Sequence, residues 1–453
     1  MKFFTVICTA ALFLLLRPVR AASWSNSSSG TPIRGVNVGG WLILEQWLGG
    51  DIWNAAPNAT DEYSFCDSLG PDAALSALEE HWSTWFTQDT VKELASYGVN
   101  ALRIPIGYWS IVKDDSQPYV MGALDYLDQA LHWAKKAGLK VWVDLHGVPG
   151  SQNGFDNSGH AGSVDWQTYP ENINTTISVL KALAKKYSAS KYSSVVAAIE
   201  LINEPISWYP NNVSVTRDFY IDSFAEIRSS LTDNQNLQVI MHDSFVNLSD
   251  WSDMPATVNA SYGQLGLDSH IYQVFTPETT DLDGPGHVQK ACDYQYTLQN
   301  STAIMPTYAG EWSAAEEVCL YANGTTMAGT SCSEDGCQCT SDDSSNWSQE
   351  LVNVVRSFVE AQMDVFEGNS TGYFFWSHTG PGAWNFISGV KQGWIPQPLT
   401  DRQFPGQCGF VLNSGDHNGT YHHGHHINGH TNYRRVQRGL LGSGSPYSTV
   451  PYI

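Results

Sequence analysis

The chain has 453 residues, a formal net charge of −22, only 15% charged residues and 12% aromatic ones, Trp alone numbering 17. So acidic a surface repels nucleic acid and anionic membrane, which sets both aside as partners and suits an uncharged substrate. The length exceeds an average domain, but α/β barrels run this long as one unit, and no Pro-rich or Ser/Thr-rich linker divides the chain.

At the N-terminus, Lys2 precedes an apolar stretch, Phe3–Leu16, shorter than the ~20 residues a bilayer span needs. Val19-Arg20-Ala21 follows, with small residues where a signal peptidase cuts. Residues 1–21 therefore read as a signal peptide and 22–453 as one mature domain, secreted and extracellular or wall-associated. An uncleaved anchor is the alternative. Sequons at Asn26, Asn58, Asn174, Asn212, Asn247, Asn259, Asn300, Asn323, Asn346, Asn369 and Asn418 agree with a secreted glycoprotein. The mature chain is expected to need no membrane and to be a monomer.

Short apolar runs then recur as strand candidates: Ile33–Val38, Val99–Pro105, Leu139–Leu145, Val195–Asn203, Leu237–His242, Leu267–Ile271, Met305–Glu311 and Thr371–Trp376. Between them lie helical patterns at Ala73–Tyr97, Met121–Ala137, Pro170–Tyr187, Val215–Leu231 and Trp347–Phe366. Gly98 and Gly138 stand where a helix wants a left-handed C-terminal residue. Eight strands alternating with helices predict an α/β fold, a single (β/α)8 TIM barrel with elaborated βα loops at its C-terminal face. A doubly wound open sheet is the runner-up, weakened because no Gly-rich phosphate loop follows the first strand.

A barrel places its chemistry at the C-terminal strand ends. Arg103 falls near the end of strand two, His146 after strand three, Asn203-Glu204 at strand four, His270 and Tyr272 at strand six, Glu311 at strand seven and Trp376 at strand eight. A carboxylate at the exit of a buried strand is costly to desolvate without a partner or a task. Two of them, among aromatics, suit glycoside hydrolysis, where one carboxyl protonates the leaving oxygen and the other attacks carbon or activates water. On this reading burial and a like charge keep the acid, Glu204, protonated, while Arg103 and Tyr272 keep Glu311 ionised. The alternatives are framework carboxylates, or a metal held by His146 and His270. The early strands offer no His-X-His pair to support the latter, and no metal or other cofactor is expected.

Seven cysteines remain after the leader: Cys66, Cys292, Cys319, Cys332, Cys337, Cys339 and Cys408. The odd count leaves an unpaired thiol or an intermolecular bond. Cys332, Cys337 and Cys339 crowd one loop, where one of them pairs with Cys319; zinc is the other use of such a cluster. Asp416–His430 holds six of the fourteen histidines and reads as a solvated Gly/Asn/His loop, adventitious metal binding being the alternative.

Six segments together resemble glycoside hydrolase family five: Arg34–Leu42, Arg103–Trp109, Asp144-Leu145-His146-Gly147, Asn203-Glu204-Pro205, Asp268–Tyr272 and Gly310-Glu311-Trp312-Ser313. Gly150–Gly159 and Arg402–Phe410 resemble its fungal exo-β-1,3-glucanase branch. The resemblance implies a retaining hydrolase without cofactor that frees glucose from the non-reducing ends of β-1,3-glucan. It implies Glu204 as acid/base, Glu311 as nucleophile, and Arg103, His146, Asn203, His270 and Tyr272 around the sugar over a Trp376 platform. Glu45 and Asp156 would bind the terminal glucose, with Phe155 and Phe275 clamping the next. It also implies a Cys292–Cys408 disulfide and Cys319 bonded to one cysteine of the 332–339 loop. Rival readings are endo or β-1,6-selective action, transglycosylation, or an inactive glucan-binding wall protein. The carboxyl separation expected of a retaining pair is about 5–5.5 Å.

Overall fold

The computed structural model describes residues 31–412. The expected leader, Asn26, the sequon at Asn418 and the His-rich segment lie outside the described residues. All eight expected strands form: β1 Ile33–Asn37, β2 Ala101–Gly107, β3 Lys140–Gly147, β4 Val196–Glu200, β5 Gln238–His242, β6 Leu265–His270, β7 Thr307–Trp312 and β11 Gly372–Phe375. They close a barrel in the order β1-β11-β7-β6-β5-β4-β3-β2, and every neighbouring pair is parallel. Between β7 and β11 the chain makes a three-stranded antiparallel excursion of β8 Val318–Leu320, β9 Thr326–Ala328 and β10 Gln338–Cys339.

Helices follow the sequence signals closely. Pro170 opens the helix Pro170–Tyr187 at its first turn, where its missing N–H costs nothing. Gly98 and Gly138 end their helices at φ of 100° and 79°. The helix expected over 73–97 is in fact two, Pro71–Thr84 and Gln88–Tyr97. The Thr87 hydroxyl takes the Thr90 N–H at 3.3 Å, so the chain starts a new helix there. Further helices, among them Glu62–Leu69, Gly284–Asp293, Gln295–Thr302 and Phe386–Gln392, were not expected. Among the described residues no helix is long and apolar enough to cross a membrane.

The core has two parts because barrel strands are buried on both faces. Outward-facing residues such as Leu102, Ile104, Val143 and Leu145 pack against the helices. Inward-facing Ala101, Trp142, Ala198, Ile240, Tyr308 and Phe374 fill the barrel floor. Two residues further along each strand, the inward positions hold Arg103, Asp144, Glu200, His242 and, on β6, Asp268, all fully buried. Charge thus begins one layer above the apolar floor.

Cys292 bonds to Cys408, and Cys319 to Cys339, as the resemblance implied. Cys332–Cys337 is a third disulfide in the excursion, and Cys66 is left as a buried free thiol. Eight of the expected glycan acceptors, Asn58, Asn174, Asn212, Asn247, Asn259, Asn300, Asn323 and Asn346, are exposed. Asn369 differs from them: it is buried, and its side-chain amide donates to the Val365 carbonyl.

Candidate active site

Strand alternation alone would turn Glu311 away from the barrel axis. Tyr308 faces inward, so Gly310 and Trp312 should follow it and Glu311 should face the helices. A bulge prevents this. Ser269 pairs with Ala309 but His270 pairs with Glu311, leaving Gly310 as the extra residue. Trp312 then swings outward against Phe366 and Phe375, and Glu311 faces the axis. Glycine is required here, since a Cβ on residue 310 would lie 1.9 Å from Asp268 Oδ1.

Arg103 anchors the centre. Its guanidinium lies over the Trp142 ring of the floor at 5.5 Å. It donates Nε to Glu200 at 2.9 Å, Nη1 to Glu311 Oε1 at 2.8 Å and to Asn37 Oδ1 at 3.1 Å, and Nη2 to Asn203 Oδ1 at 2.7 Å. Asp144 and Asp268 stand 3.1 and 3.8 Å from Nη2. One cation among four buried acids stays charged despite burial, because each carboxylate raises its pKa. Burial, together with Asp144 and Asp268, pushes Glu200 well above the usual carboxylate range despite Arg103 beside it, and it hydrogen-bonds Asp144.

Two Asp-X-His pairs stand on this layer. Asp144 Oδ2 meets His146 Nδ1 at 2.5 Å, and Asp268 Oδ2 meets His270 Nε2 at 3.3 Å. Spacing of two puts each aspartate one layer below its histidine on the same strand face. The ring of His146 stacks parallel to Trp376 at 5.6 Å, and its Nε2 lies 3.3 Å from Asn203 Nδ2.

His270 joins the two glutamates. Its Nδ1 is 2.7 Å from Glu204 Oε1 and 3.4 Å from Glu311 Oε2. Both carboxyls therefore face one space. Tyr272 donates its hydroxyl to Glu311 Oε2 at 2.8 Å, and Asn157 donates to Glu204 Oε2 at 2.9 Å. Glu204 has a φ of 47°, left-handed backbone that a non-glycine residue adopts only where its surroundings enforce it.

The expected division of protonation is reversed in this arrangement. Burial works to raise Glu204, but the charge and hydrogen bond of His270 bring it down to about 2. Burial raises Glu311 and outweighs His270 and Arg103. Burial also works against charge on His270, yet Glu311, Asp268 and Glu204 lift it well above its ordinary value. The proton that sequence reasoning assigned to Glu204 thus rests on the imidazole touching it. Glu204, His242 and His270 also bring ligand atoms within 4.8 Å of one another, the closest approach to a metal set in the site. Both nitrogens of His270 already face carboxylates there.

The remaining expected residues stand on the loops after β1, β3 and β6. Glu45 is buried, accepting from Gly40 N and Trp47 Nε1, each at 3.2 Å, and burial with the charges of Asp156 and Glu311 raises it well above its ordinary value. Burial lifts Asp156 to about 6. Trp47 meets Trp384 at 5.1 Å, and Trp384 in turn meets Tyr272 at 5.3 Å and Phe275 at 6.1 Å. Phe155 is half-buried at the head of the turn Asp156–Ser158, and Phe275 is exposed. Sequence reasoning missed Asn37, Asp144, Asn157, Glu200, His242, Asp268 and Trp384. The repeated Asp-X-His spacing and the lone acid within Ile199-Glu200-Leu201 were the signals available.

The sequence model of the family described as cellulase (glycosyl hydrolase family 5) matches residues 66–380. The chain is 38% identical over 418 residues to the glucan 1,3-beta-glucosidase of Blumeria graminis, spanning 88% of this chain and 95% of that protein. It is likewise 38% identical to the glucan 1,3-beta-glucosidase of Candida oleophila, over 88% of this chain and 99% of the relative. Among solved structures, the rutinosidase from Aspergillus niger superposes with a TM-score of 0.66 at 20% identity, over 83% of this chain and 99% of that one. This last likeness concerns the fold alone.

Proposed function

Because this chain belongs to glycosyl hydrolase family 5, we propose that it is a secreted retaining glycosidase that releases glucose from the non-reducing ends of β-1,3-glucan. Glu311 is the nucleophile and Glu204 the acid/base. The observation that carries this reading is the placement of both carboxyls on His270 Nδ1, at 2.7 and 3.4 Å, with Arg103 and Tyr272 fixing Glu311 from its other side.

The steps follow from the contacts. Arg103 and Tyr272 hold the two oxygens of Glu311, so its attack on the anomeric carbon needs little reorientation. The imidazolium of His270 passes its Nδ1 proton to Glu204 Oε1 as the sugar displaces water and the site turns against charge. Glu204 then gives that proton to the departing glycosidic oxygen while Glu311 forms the covalent glycosyl ester. In the second half Glu204 takes a proton from water, whose oxygen attacks the same carbon and frees Glu311, and the proton returns across the 2.7 Å contact to His270 Nδ1. Asn203, held by Arg103, suits the 2-hydroxyl, and Trp376 offers its face to the C–H side of the ring.

Exo action is supported by the wall from Glu45 through Trp47 and Trp384 to Phe275. It joins the loops after β1, β6 and β11, and Trp384 also packs on Tyr272, which holds the nucleophile. Names of the curated relatives support a β-1,3-linked substrate. Secretion rests on the leader read from residues 1–21 and on the eight exposed sequons. Following a short β-1,3-oligosaccharide by proton NMR tests the whole reading. β-Glucose should appear first and be the sole new monosaccharide. α-Glucose as first product would refute retention, and larger oligosaccharides without glucose would refute exo action.

A further inference from the structure

We propose that Gln152, in the loop after β3, is a positioning residue that holds Glu204 in its left-handed conformation and so aligns the acid with the leaving oxygen. The inference rests on the assignment of Glu204 as the acid. Gln152 is fully buried, and its Nε2 donates to two main-chain carbonyls, those of His146 at 2.6 Å and Asn203 at 2.8 Å. These carbonyls belong to the ends of two neighbouring strands, so one amide staples the loop after β3 to the loop after β4. The main-chain carbonyl of Gln152 accepts in turn from Ile206 N at 3.3 Å and from Asn211 Nδ2 at 2.7 Å.

Gln152 therefore grips the chain at residue 203 and again at residue 206, on both sides of Glu204. Between those points Glu204 keeps a φ of 47°, a conformation that costs on the order of 1–3 kcal/mol unless its neighbours enforce it. The neighbouring main-chain bond Asn203 N to Leu145 O, at 3.1 Å, continues the β3–β4 ladder and fixes position along the strand. It leaves the turn at 204 free to relax, and the double grip of Gln152 is what removes that freedom. Its side chain holds the Asn203 carbonyl and its own main-chain carbonyl holds Ile206 N, so a single residue takes the chain on both sides of Glu204. Asn157 and His270 reach its carboxylate instead, and so set its end but not its root.

The test separates acid placement from general damage. Gln152→Met keeps the length of the side chain and removes both donors. Gln152→Glu keeps the shape and retains one donor only while protonated. Each variant is assayed on laminaribiose, whose leaving group needs a proton, and on 2,4-dinitrophenyl β-glucoside, whose leaving group does not. Glu204→Gln is the reference. For Gln152→Met, kcat on laminaribiose should fall about 10²-fold, the scale of a 1 Å misplacement, while kcat/KM on the dinitrophenyl substrate changes less than about 3-fold. Gln152→Glu should recover towards the wild type as pH is lowered, relative to wild type at each pH. Equal losses on both substrates with an unchanged melting temperature would overturn the inference, as would wild-type turnover of laminaribiose by Gln152→Met. If Glu204→Gln itself shows no dependence on the leaving group, the acid assignment has failed, whatever Gln152 does.

Discussion

His270 turns one nitrogen, Nδ1, toward Glu204 at 2.7 Å while its other nitrogen leans on Asp268 at 3.3 Å. That contact decides where the catalytic proton is stored. Glu311, Asp268 and Glu204 hold the imidazole protonated against burial. In the wild type the alkaline limb of the pH–rate profile should therefore report loss of the His270 proton, well above the usual histidine range.

Replacing His270 by Asn removes the store and the positive charge that depresses Glu204. Glu204 must then carry its own proton, and its carboxyl titrates below the imidazolium it replaces. The alkaline limb of kcat/KM on laminaribiose should move to lower pH, with the rate at the old optimum falling about 10²-fold. A profile of unchanged shape, merely scaled down, would show that His270 does not supply the proton.

The two glutamates should separate by substrate. Glu311→Gln removes the attacking oxygen and should abolish turnover of every β-glucoside, while glucose-like inhibitors still bind. Glu204→Gln should lower kcat on laminaribiose by about 10³-fold and spare the first step with dinitrophenyl β-glucoside, where added azide should speed release of the glycosyl-enzyme. Wild-type turnover by Glu311→Gln on any of these substrates is the outcome that the nucleophile assignment does not survive.

The sequence displays the barrel because parallel strands are buried on both faces and so appear as unbroken apolar runs. It displays the strand-end chemistry for a related reason: Arg103, His146, Glu204, His270 and Glu311 are the polar residues where those runs stop. What it hides is non-local. Asp144, Glu200 and Asp268 become meaningful only once closure brings four strands around one guanidinium. The protonation of Glu204 reverses on a contact with His270, 66 residues away. The excursion of β8, β9 and β10 is too short and polar to show a period, and disulfides hold it where a core would not. Helix 73–97 looked continuous because its apolar spacing runs through Thr87, whose capping hydroxyl breaks it.

Gly310 carries a second test, of the bulge that aims the nucleophile. Gly310→Ala would put a methyl group on the Asp268 carboxylate, which is packed on Arg103 and His270 and has nowhere to go. The variant should lose about 3 kcal/mol of stability and, where folded, about 10²-fold in kcat. Gly138→Ala is the control. Its φ is 79° but nothing lies within 4 Å of the added carbon, so it should cost about 1 kcal/mol and leave kcat untouched. Equal behaviour of the two variants would deny the bulge its role.

Glu316, just beyond β7, tests the cost of burying an acid without a partner. Both of its carboxyl oxygens are buried with no hydrogen-bond partner, and burial lifts it from 4.5 to about 8. The folded state thus keeps a proton that the unfolded chain loses near pH 4.5, so this residue subtracts stability progressively as pH rises from there to about 8. Glu316→Leu removes the titration. Its stability advantage over the wild type should widen between pH 4.5 and 7, by on the order of 3 kcal/mol, as read from urea unfolding at each pH. Turnover should stay unchanged, because neither carboxyl oxygen of Glu316 bonds any of the groups around the sugar. An advantage that stays constant with pH would mean that the carboxyl finds a partner or solvent in the folded protein.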